Sequence, residues 1–349
     1  MRGLRWLVRA VVALTALALC GLAWAAHEYQ LDLQTAWKRA TRQTAPFTVD
    51  AAQLPIARYA RVVWLGDVPG TRLNEASGLA VSRRNRDLLW IVNDSGGGPF
   101  LHALGEDGRS RGSLRVRGAT NFDWEDLDAF ELDGVAYLLI ADVGDNFAFR
   151  SAVTLYVVEE PLLAGERFEA GAAIDPTWIL RVRYEGGPED CEAVAVDAQR
   201  RRVLLLSKRS VPPVLYSVEL APRHDDPRRL TDLLVARRLT AVRGIPQPIA
   251  EDVAVNPGYG RYLARPTAMD IAADGMRAVV FNYKSAFLFD RSPGESWSRA
   301  FARLPRRVIL PRLSALEAGA FGLDGQTLYI SSENLPAPII RLDPPVSSR

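Results

Sequence analysis

The stretch NFDWEDLDAFELDGVAYLLIADVGDN, residues 121–146, decides the fold. Acidic residues alternate with apolar ones as far as a turn at Asp133-Gly134, and an apolar run, residues 135–141, follows before the polar end. Alternation with period two, an Asp-Gly turn and a second apolar run are typical of a β-hairpin. The stretch therefore predicts two antiparallel strands whose open end is rich in acids.

The same hairpin pattern recurs elsewhere in the chain. The five copies are residues 77–94, 125–142, 192–208, 269–283 and 317–333. Two further strand-like runs follow most of them, so that each repeat has four strands, as in a β-propeller blade. We therefore predict an all-β fold, a β-propeller, and not the alternative β-sandwich, because a sandwich would not keep this four-strand repeat.

The spacing of the repeats bears on the number of blades. Repeat starts are separated by 48, 67, 77 and 48 residues, and the long third interval holds either an insertion or a degenerate extra blade near residues 230–255. We expect six blades, of which five are visible as repeats. Only one apolar run, residues 339–342, follows the last hairpin, so residues 59–65 near the N-terminus should supply the strand that closes the ring.

The first 25 residues are typical of a secretory signal peptide. Arg2, Arg5 and Arg9 precede the apolar run 10–23, and Ala23-Trp24-Ala25 favours cleavage after Ala25. An uncleaved membrane anchor is the alternative, because the run is near the lower length for a membrane span. We interpret residues 26–57 as a linker with a short helix and residues 58–345 as the propeller. The protein should be exported, periplasmic or extracellular, with contact to the inner membrane only through this leader.

Composition narrows the functional classes. The chain has 48% hydrophobic and 24% charged residues, as globular proteins do. Without residues 1–25 it has 40 basic against 41 acidic residues, which gives no support to nucleic-acid binding. The three histidines belong to no recognisable zinc or triad motif, and the one cysteine left, Cys191, has no partner for a disulfide. We interpret Cys191 and Trp124 as packing residues and expect a monomer.

One face of the predicted propeller should collect carboxylates from every repeat. The first two strands of a blade are antiparallel, so the start of one lies beside the end of the other. The metal ligands predicted on this basis are Glu75, Asp123, Asp142, Asp145, Asp190, Glu317 and Glu333. Oxygen ligands without His or Cys suit Ca²⁺, or alternatively Mg²⁺, and not zinc. The competing interpretation is that single acids cap rim loops through backbone N–H groups.

Other residues at the same face are candidates for contact with a ligand or for catalysis. The aligned first residues of the repeats are Ser77, Glu125, Glu192, Met269 and Glu317. If the face is catalytic, we expect Glu125 or Glu192 to position water. Lys208 either neutralises carboxylates, binds an anionic group or acts as a base. The residues predicted to contact a substrate are Asn93, Asp94, Arg150 and Tyr283.

Several motifs resemble those of a family of exported bacterial β-propellers near the phytase-like, or esterase-like, propeller group. They are NDSG at 93–96, DWED at 123–126, DVGDN at 142–146 with Arg150 following, PEDCEAVAVD at 188–197 with SK at 207–208, and SSEN at 331–334. The resemblance covers roughly residues 70–342 and implies the propeller fold with an acid-rich face. On its phytase side it implies calcium-dependent hydrolysis of phosphate esters.

Two hypotheses of different class remain. In the first, the chain is a module at the cell envelope that binds a small molecule or a protein partner through the acidic face. In the second, it is a metal-dependent hydrolase of phosphate or carboxylic esters. We favour the binding module, because the motif positions carry few of the basic residues that a highly phosphorylated substrate would need, with Lys208 and Arg150 the evident candidates.

Overall fold

The computed structural model of the chain describes residues 49–68, 73–220, 233–333, 335 and 337–345, together with 11, 14–21 and 24. The predicted cleavage site after Ala25 and most of the predicted linker lie outside these residues. No helix among the described residues is long and apolar enough to cross a membrane. The leader and its cleavage therefore stay predictions.

The described strands form five blades of four antiparallel strands each. Before the first blade come β1 (Ile56–Ala57) and β2 (Arg61–Val68). The first blade contains β3 (Ala76–Val81), β4 (Leu88–Asn93), β5 (Phe100–Gly105) and β6 (Ser110–Val116). The second contains β7 (Trp124–Leu132), β8 (Val135–Asp142), β9 (Val153–Glu159) and, after the short β10 (Ala173–Ile174), β11 (Trp178–Tyr184).

The remaining blades follow in the same order along the chain. The third contains β12 (Cys191–Asp197), β13 (Arg202–Ser207), β14 (Val214–Glu219) and β15 (Leu234–Ala241). The fourth, after helix α1 (Ala250–Val255), contains β16 (Pro266–Ile271), β17 (Arg277–Asn282), β18 (Ser285–Asp290) and, after α2 (Trp297–Ala300), β19 (Arg306–Ile309). The fifth contains β20 (Leu316–Phe321), β21 (Leu328–Ser332) and β22 (Ala337–Asp343), completed by β2.

The inner strands close a ring of five. β3 packs against β7, β7 against β12, β12 against β16, β16 against β20, and β20 against β3. The structure thus has five blades where six were expected. The long third interval, between repeats three and four, holds β15, which is the outer strand of the third blade, and then α1 with a 3₁₀ turn at Gly260–Tyr262. The apolar residues near 230–255 therefore belong to an outer strand and an insertion.

The predicted closure by an N-terminal strand is confirmed. β2 pairs antiparallel with β22, with Trp64 opposite Ile340, and forms the outermost strand of the last blade. The expected hairpin of residues 121–146 is β7 and β8, joined by Asp133 and Gly134 with φ of 53° and 78°, as a two-residue hairpin turn requires. β1 adds in parallel to β19 at the edge of the fourth blade.

Each contact between neighbouring blades has its own apolar core, and five such cores surround the ring. Trp90 and Trp124, both fully buried, fill the core between the first and second blades. Cys191 is fully buried between the second and third. The packing roles predicted for Trp124 and Cys191 are confirmed.

A buried carboxylate, that of Asp126, joins three blades. Its Oδ2 atom accepts hydrogen bonds from the backbone N–H groups of Val194 in the third blade, at 2.7 Å, and Met269 in the fourth, at 3.1 Å. Its Oδ1 atom accepts from the N–H of Leu127 at 2.9 Å. Because the fourth blade is not adjacent to the second, this side chain reaches across the axis of the ring.

The inner strands pack closely at the level of Asp126, because the other four blades have a small residue at the equivalent position. The equivalent residues of the other inner strands, each paired one step after an irregularity in register, are Gly78, Ala193, Ala268 and Ala318. A Cβ atom at Gly78 would lie 2.5 Å from the backbone nitrogen of Leu127. The first and second blades therefore approach each other more closely than any side chain would allow.

We predict that Gly78→Ala lowers the free energy of unfolding by about 1–3 kcal/mol, because the added methyl group overpacks a backbone contact. Chemical denaturation followed by circular dichroism measures the change. Gly165→Ala is the matched control, since a Cβ there meets nothing within 4 Å and should leave stability nearly unchanged. Equal stabilities of the two variants would show that the blades can separate at Gly78 without cost.

We also predict that Asp126→Ala lowers the free energy of unfolding by about 3 kcal/mol or more, because N–H groups of two other blades lose their buried acceptor. Asp175→Ala serves as the control. Asp175 pairs with Arg117 at the surface, and the loss of such a pair costs about 0.5 kcal/mol or less. If both variants unfold at the same denaturant concentration, Asp126 does not hold the blades together.

Candidate functional site

Every inner strand carries a β-bulge near its first residue, and all five bulges lie at the same end of the ring. The register of each inner strand with its hairpin partner shifts by one residue there. The bulged residues are Ser77, Glu125, Glu192, Thr267 and Glu317. Bulges redirect side chains and are common beside functional sites. We call this end of the ring, with these five residues, the mouth.

Four of the five bulged residues are the aligned first residues expected from the sequence. The exception is the fourth blade, where the structure places Thr267 at the bulge and puts Met269, the expected residue, in the core between the third and fourth blades. The apolar pattern of that repeat begins two residues late, because Pro266 and Thr267 do not read as a strand start. Thr267 is 2% exposed, and its Oγ1 atom has no hydrogen-bond partner among the described residues.

The ends of the second strands lie beside the starts of the first, as predicted. The N–H of Asp94 donates to the carbonyl of Glu75 at 2.9 Å, that of Lys208 to Asp190 at 2.8 Å, and that of Glu333 to Ala315 at 2.9 Å. In the second blade this place belongs to Gly144, whose N–H donates to Asp123 at 3.1 Å. Asp142, which the sequence alignment put here, lies two residues earlier.

Two overlapping groups of carboxylates form at the mouth. Asp94, Asp123 and Glu125 offer oxygen atoms that all lie within 4.8 Å of one another, and so do Glu125, Asp190 and Glu192. A Cβ atom at Gly144 would collide with the carboxylates of Asp123 and Glu125, so the glycine leaves the space beside them open. The sequence predicts all five acids at this face, with Asp94 as a substrate contact, Glu125 and Glu192 in catalysis, and Asp123 and Asp190 as metal ligands.

Crowding and burial shift the titration of these acids. Burial, reinforced by Asp123, raises the pKa of Asp94 to about 9. Burial also raises the pKa of Glu125 well above its usual range, with the charge of Glu192 adding to the effect. The pKa of Glu192 rises to about 8 through burial, although Lys208 opposes the shift. Like charges at this distance favour either protons or a cation.

Lys208 is the cation nearest this group. Its ammonium forms an ion pair with Glu192, and its Nζ atom lies 5.8 Å from the centre of the Tyr283 ring. Burial alone would lower the pKa of Lys208, but the carboxylates of Glu192 and Glu125 outweigh it and raise that pKa. Lys208 therefore stays charged at neutral pH, which suits a counter-ion or an anion contact better than a general base.

Glu317 and Glu333 bring further acid to the mouth from the fifth blade. Burial, followed by the charges of Glu317 and Glu75, raises the pKa of Glu333 to about 7. Tyr283, at the end of the second strand of the fourth blade, has its pKa raised by burial. Asn93, predicted to contact a substrate, is buried and donates to Asn74 Oδ1 at 3.4 Å.

Three of the predicted residues have partners of their own next to the mouth. Arg150 is buried, pairs with Asp142 at 2.8 Å and stacks over Phe122 at 4.7 Å. The carboxylate of Asp145 accepts hydrogen bonds from the N–H groups of Phe149 at 2.8 Å and Arg150 at 2.7 Å. These contacts fix the loop after β8, as in the loop-cap alternative. The roles predicted for these residues as metal or substrate ligands remain predictions.

The insertion after the third blade also reaches the mouth, a position that the sequence pattern did not predict. Tyr259 stacks edge-on against Tyr283 at 5.9 Å, and Lys284 pairs with Asp252 of α1 at 2.6 Å. Arg265 follows the 3₁₀ turn of the insertion and stands two residues before Thr267. The residue two positions before each bulge lies at the mouth, so the position of the bulge would have predicted Arg265, but the bulge of the fourth blade cannot be recognised from the sequence.

A cavity of about 450 Å³ lies at the other end of the ring, between the first and fifth blades. It is lined by the turn after β3, including Arg83, Arg84 and Arg86. Arg84 pairs with Glu159 and Arg86 with Asp87, and both pairs lie at the surface. The charges of this cavity are thus largely neutralised, whereas those of the mouth are not.

No family model matches the chain, and no curated protein matches it. Solved structures similar to it include the major allergen Mala s 1 of Malassezia sympodialis, at 14% identity and a TM-score of 0.48, covering 81% of this chain and 97% of that one. A gluconolactonase of Xanthomonas campestris has 11% identity, a TM-score of 0.40 and coverage of 87% and 99%.

The structure of a nidogen/laminin complex matches at 12% identity with a TM-score of 0.35, covering 74% of this chain and 73% of that one. Because all three TM-scores are below 0.5, the propeller assignment rests on the sheet topology of this chain itself. The resemblance to phytase-like propellers stays a prediction.

We predict that the protein without divalent cations loses stability as the pH rises from about 5 to about 9. Asp94, Glu192 and Glu333 have folded pKa values of about 9, 8 and 7, well above those of an unfolded chain. The folded state therefore binds more protons in this window, and the free energy of unfolding falls as they are released. Thermal melts in EDTA across this range measure the trend, and a flat profile would contradict it.

Proposed function

We propose that the mouth binds a divalent cation, Ca²⁺ or Mg²⁺, and that the protein is an exported module that holds a ligand there at the cell envelope. The observation that carries the proposal is the approach of the oxygen atoms of Asp94, Asp123 and Glu125 to within 4.8 Å of one another, beside the space that Gly144 leaves. A hard cation takes oxygen ligands at about 2.0–2.6 Å, so three carboxylates this close can share one ion.

Charge supports a cation at this position rather than elsewhere on the face. Lys208 pairs with Glu192, and Arg209 pairs with Asp190, so two of the five acids already have a positive partner. Arg150 is directed to Asp142. In the group Asp94, Asp123 and Glu125, the raised pKa values of Asp94 and Glu125 mean that protons take the place of a counter-ion, and a divalent ion could displace them.

The unpartnered hydroxyl of Thr267 is a second, independent sign of a ligand. A buried hydroxyl without a partner is unfavourable, and native proteins keep such groups where something else contacts them. Thr267 belongs to the ring of bulged residues, between Glu192 and Glu317 in blade order. Water, an ion or a ligand group at the mouth would satisfy it.

Binding of Ca²⁺ should raise the melting temperature of the protein over that in EDTA. A ligand at about 100 times its Kd adds roughly 2.7 kcal/mol, which is a shift of a few degrees for a domain of this size. Glu125→Gln should abolish the shift. Glu131→Gln, on the exposed part of the same strand, should keep it. The cation site would be refuted if both variants kept the shift in melting temperature, or if the wild type showed no shift with either Ca²⁺ or Mg²⁺.

Hydrolysis of phosphate or carboxylic esters is the second candidate, favoured by the ion pair of Lys208 and Glu192 beside the carboxylate group. A bound cation would polarise an ester oxygen, and Glu125 or Glu192 would position water. A broad ester and phosphoester screen should then give turnover that Glu192→Gln removes while its circular dichroism spectrum stays unchanged. Equal rates for wild type and Glu192→Gln would leave binding as the function of the mouth.

A further inference from the structure

Two arginines stand at the mouth on the side of the third and fourth blades. Arg265 is two residues before the bulge at Thr267, the position that carboxylates hold in the first three blades, namely Glu75, Asp123 and Asp190. Arg209 follows Lys208 just after β13. Where the first three blades present acids, the fourth therefore presents a guanidinium, and the mouth has a cationic side.

The guanidinium of Arg265 has no carboxylate of its own among the described residues, because Asp190, whose charge acts on it, already pairs with Arg209. It stacks on the ring of Tyr262, 4.1 Å from the ring centre, and the residue is only partly exposed. Within the part of the chain that the structure describes, no carboxylate comes within 4.0 Å of it. Burial, and next the like charge of Arg209, lower the pKa of Arg265. A partly buried cation beside a like charge is unfavourable unless an anion joins it.

Arg209 keeps part of its donor capacity available. It pairs with Asp190 and donates to Asn146 Oδ1, and 38% of its side chain is exposed. A guanidinium has five N–H donors, more than these two contacts use. The unpartnered hydroxyl of Thr267 stands two residues along the strand from Arg265. Three donors without complete partners thus lie on one side of the mouth.

We infer that Arg265 and Arg209, with the hydroxyl of Thr267, form an anion subsite, and that the ligand of the mouth carries a carboxylate or phosphate group. Guanidinium groups bind both anions through paired N–H bonds. This inference rests on the proposed function, which makes the mouth the ligand-binding site, and it specifies the chemical class of the ligand. An anion on the arginines and a cation on Asp94, Asp123 and Glu125 would give one ligand two anchors of opposite charge.

The test is isothermal titration of the full chain with inorganic phosphate and, separately, with acetate, both in EDTA so that no divalent cation takes part. We expect one of the two anions to bind, and Arg265→Gln to weaken its affinity by about tenfold or more, as for the loss of a charged hydrogen-bond pair. Arg261→Gln is the matched control, because Arg261 stacks on the same Tyr262 ring at 4.7 Å but is exposed. It should leave affinity unchanged.

A third variant guards against a folding defect. Arg265→Lys keeps the charge but not the planar pair of donors, and it should bind with intermediate affinity. Unchanged affinity in both Arg265 variants, or no binding of either anion by the wild type, overturns the anion subsite. Preference for phosphate over acetate, or the reverse, identifies the group.

The anion subsite and the cation site can fail separately. Anion binding that depends on Arg265 but persists in Glu125→Gln, with no effect of Ca²⁺ on melting, would refute the cation site and keep the anion subsite. Anion binding that requires Ca²⁺ and is unaffected by Arg265→Gln would refute the anion subsite and keep the cation site.

Discussion

The carboxylate of Asp126 is the interaction on which the ring most depends. It satisfies N–H groups on three inner strands at once, and it reaches the fourth blade only because the equivalent positions of the other blades are glycine or alanine. Two further buried aspartates repeat the device on a smaller scale. Asp128 accepts from Val196 in the third blade, and Asp270 accepts from Phe321 in the fifth at 2.7 Å. Hydrogen bonds from backbone N–H groups to these buried carboxylates thus supplement the apolar cores between blades, and they fix how the inner strands are offset along the axis.

That offset places the mouth. Since the inner strands are held in register at the level of Asp126, the residue just before it, Glu125, and its counterparts in the other blades lie in one ring. The bulges turn these side chains away from the regular alternation and bring acids from separate blades together. The acidic stretch at residues 123–128 therefore has two roles. Asp126 and Asp128 form hydrogen bonds to neighbouring blades, while Asp123 and Glu125 belong to the carboxylate group at the mouth. Burial raises the pKa of both Asp123 and Glu125.

Much of this could be predicted from the sequence, because a repeated hairpin with period-two alternation specifies both strands and their pairing. The propeller, the closing strand and the gathering of Glu125, Asp190 and Glu192 at one end follow from that pattern. The count of blades did not, since the outer strand β15 and helix α1 have an apolar content like that of a degenerate blade. Thr267 and Arg265 were missed because a bulge shifts the alternation and Pro266 hides the strand start. The sequence also could not predict which acids form ion pairs outside the mouth, because the pairing of Asp142 with Arg150 depends on the conformation of the loop after β8.

The closing strand has a consequence for how the chain folds. Arg61 of β2 bonds to Asp343 of β22 across 282 positions, so the last blade joins the two ends of the domain. Four blades consist of neighbours in sequence and can pair as soon as they exist, whereas the fifth needs the whole chain. Contacts of such long separation are slow to form, since the closure entropy comes before any gain. Because a chain is synthesised from its N-terminus, β2 has no partner until β22 has been made, and until then it presents an unpaired edge.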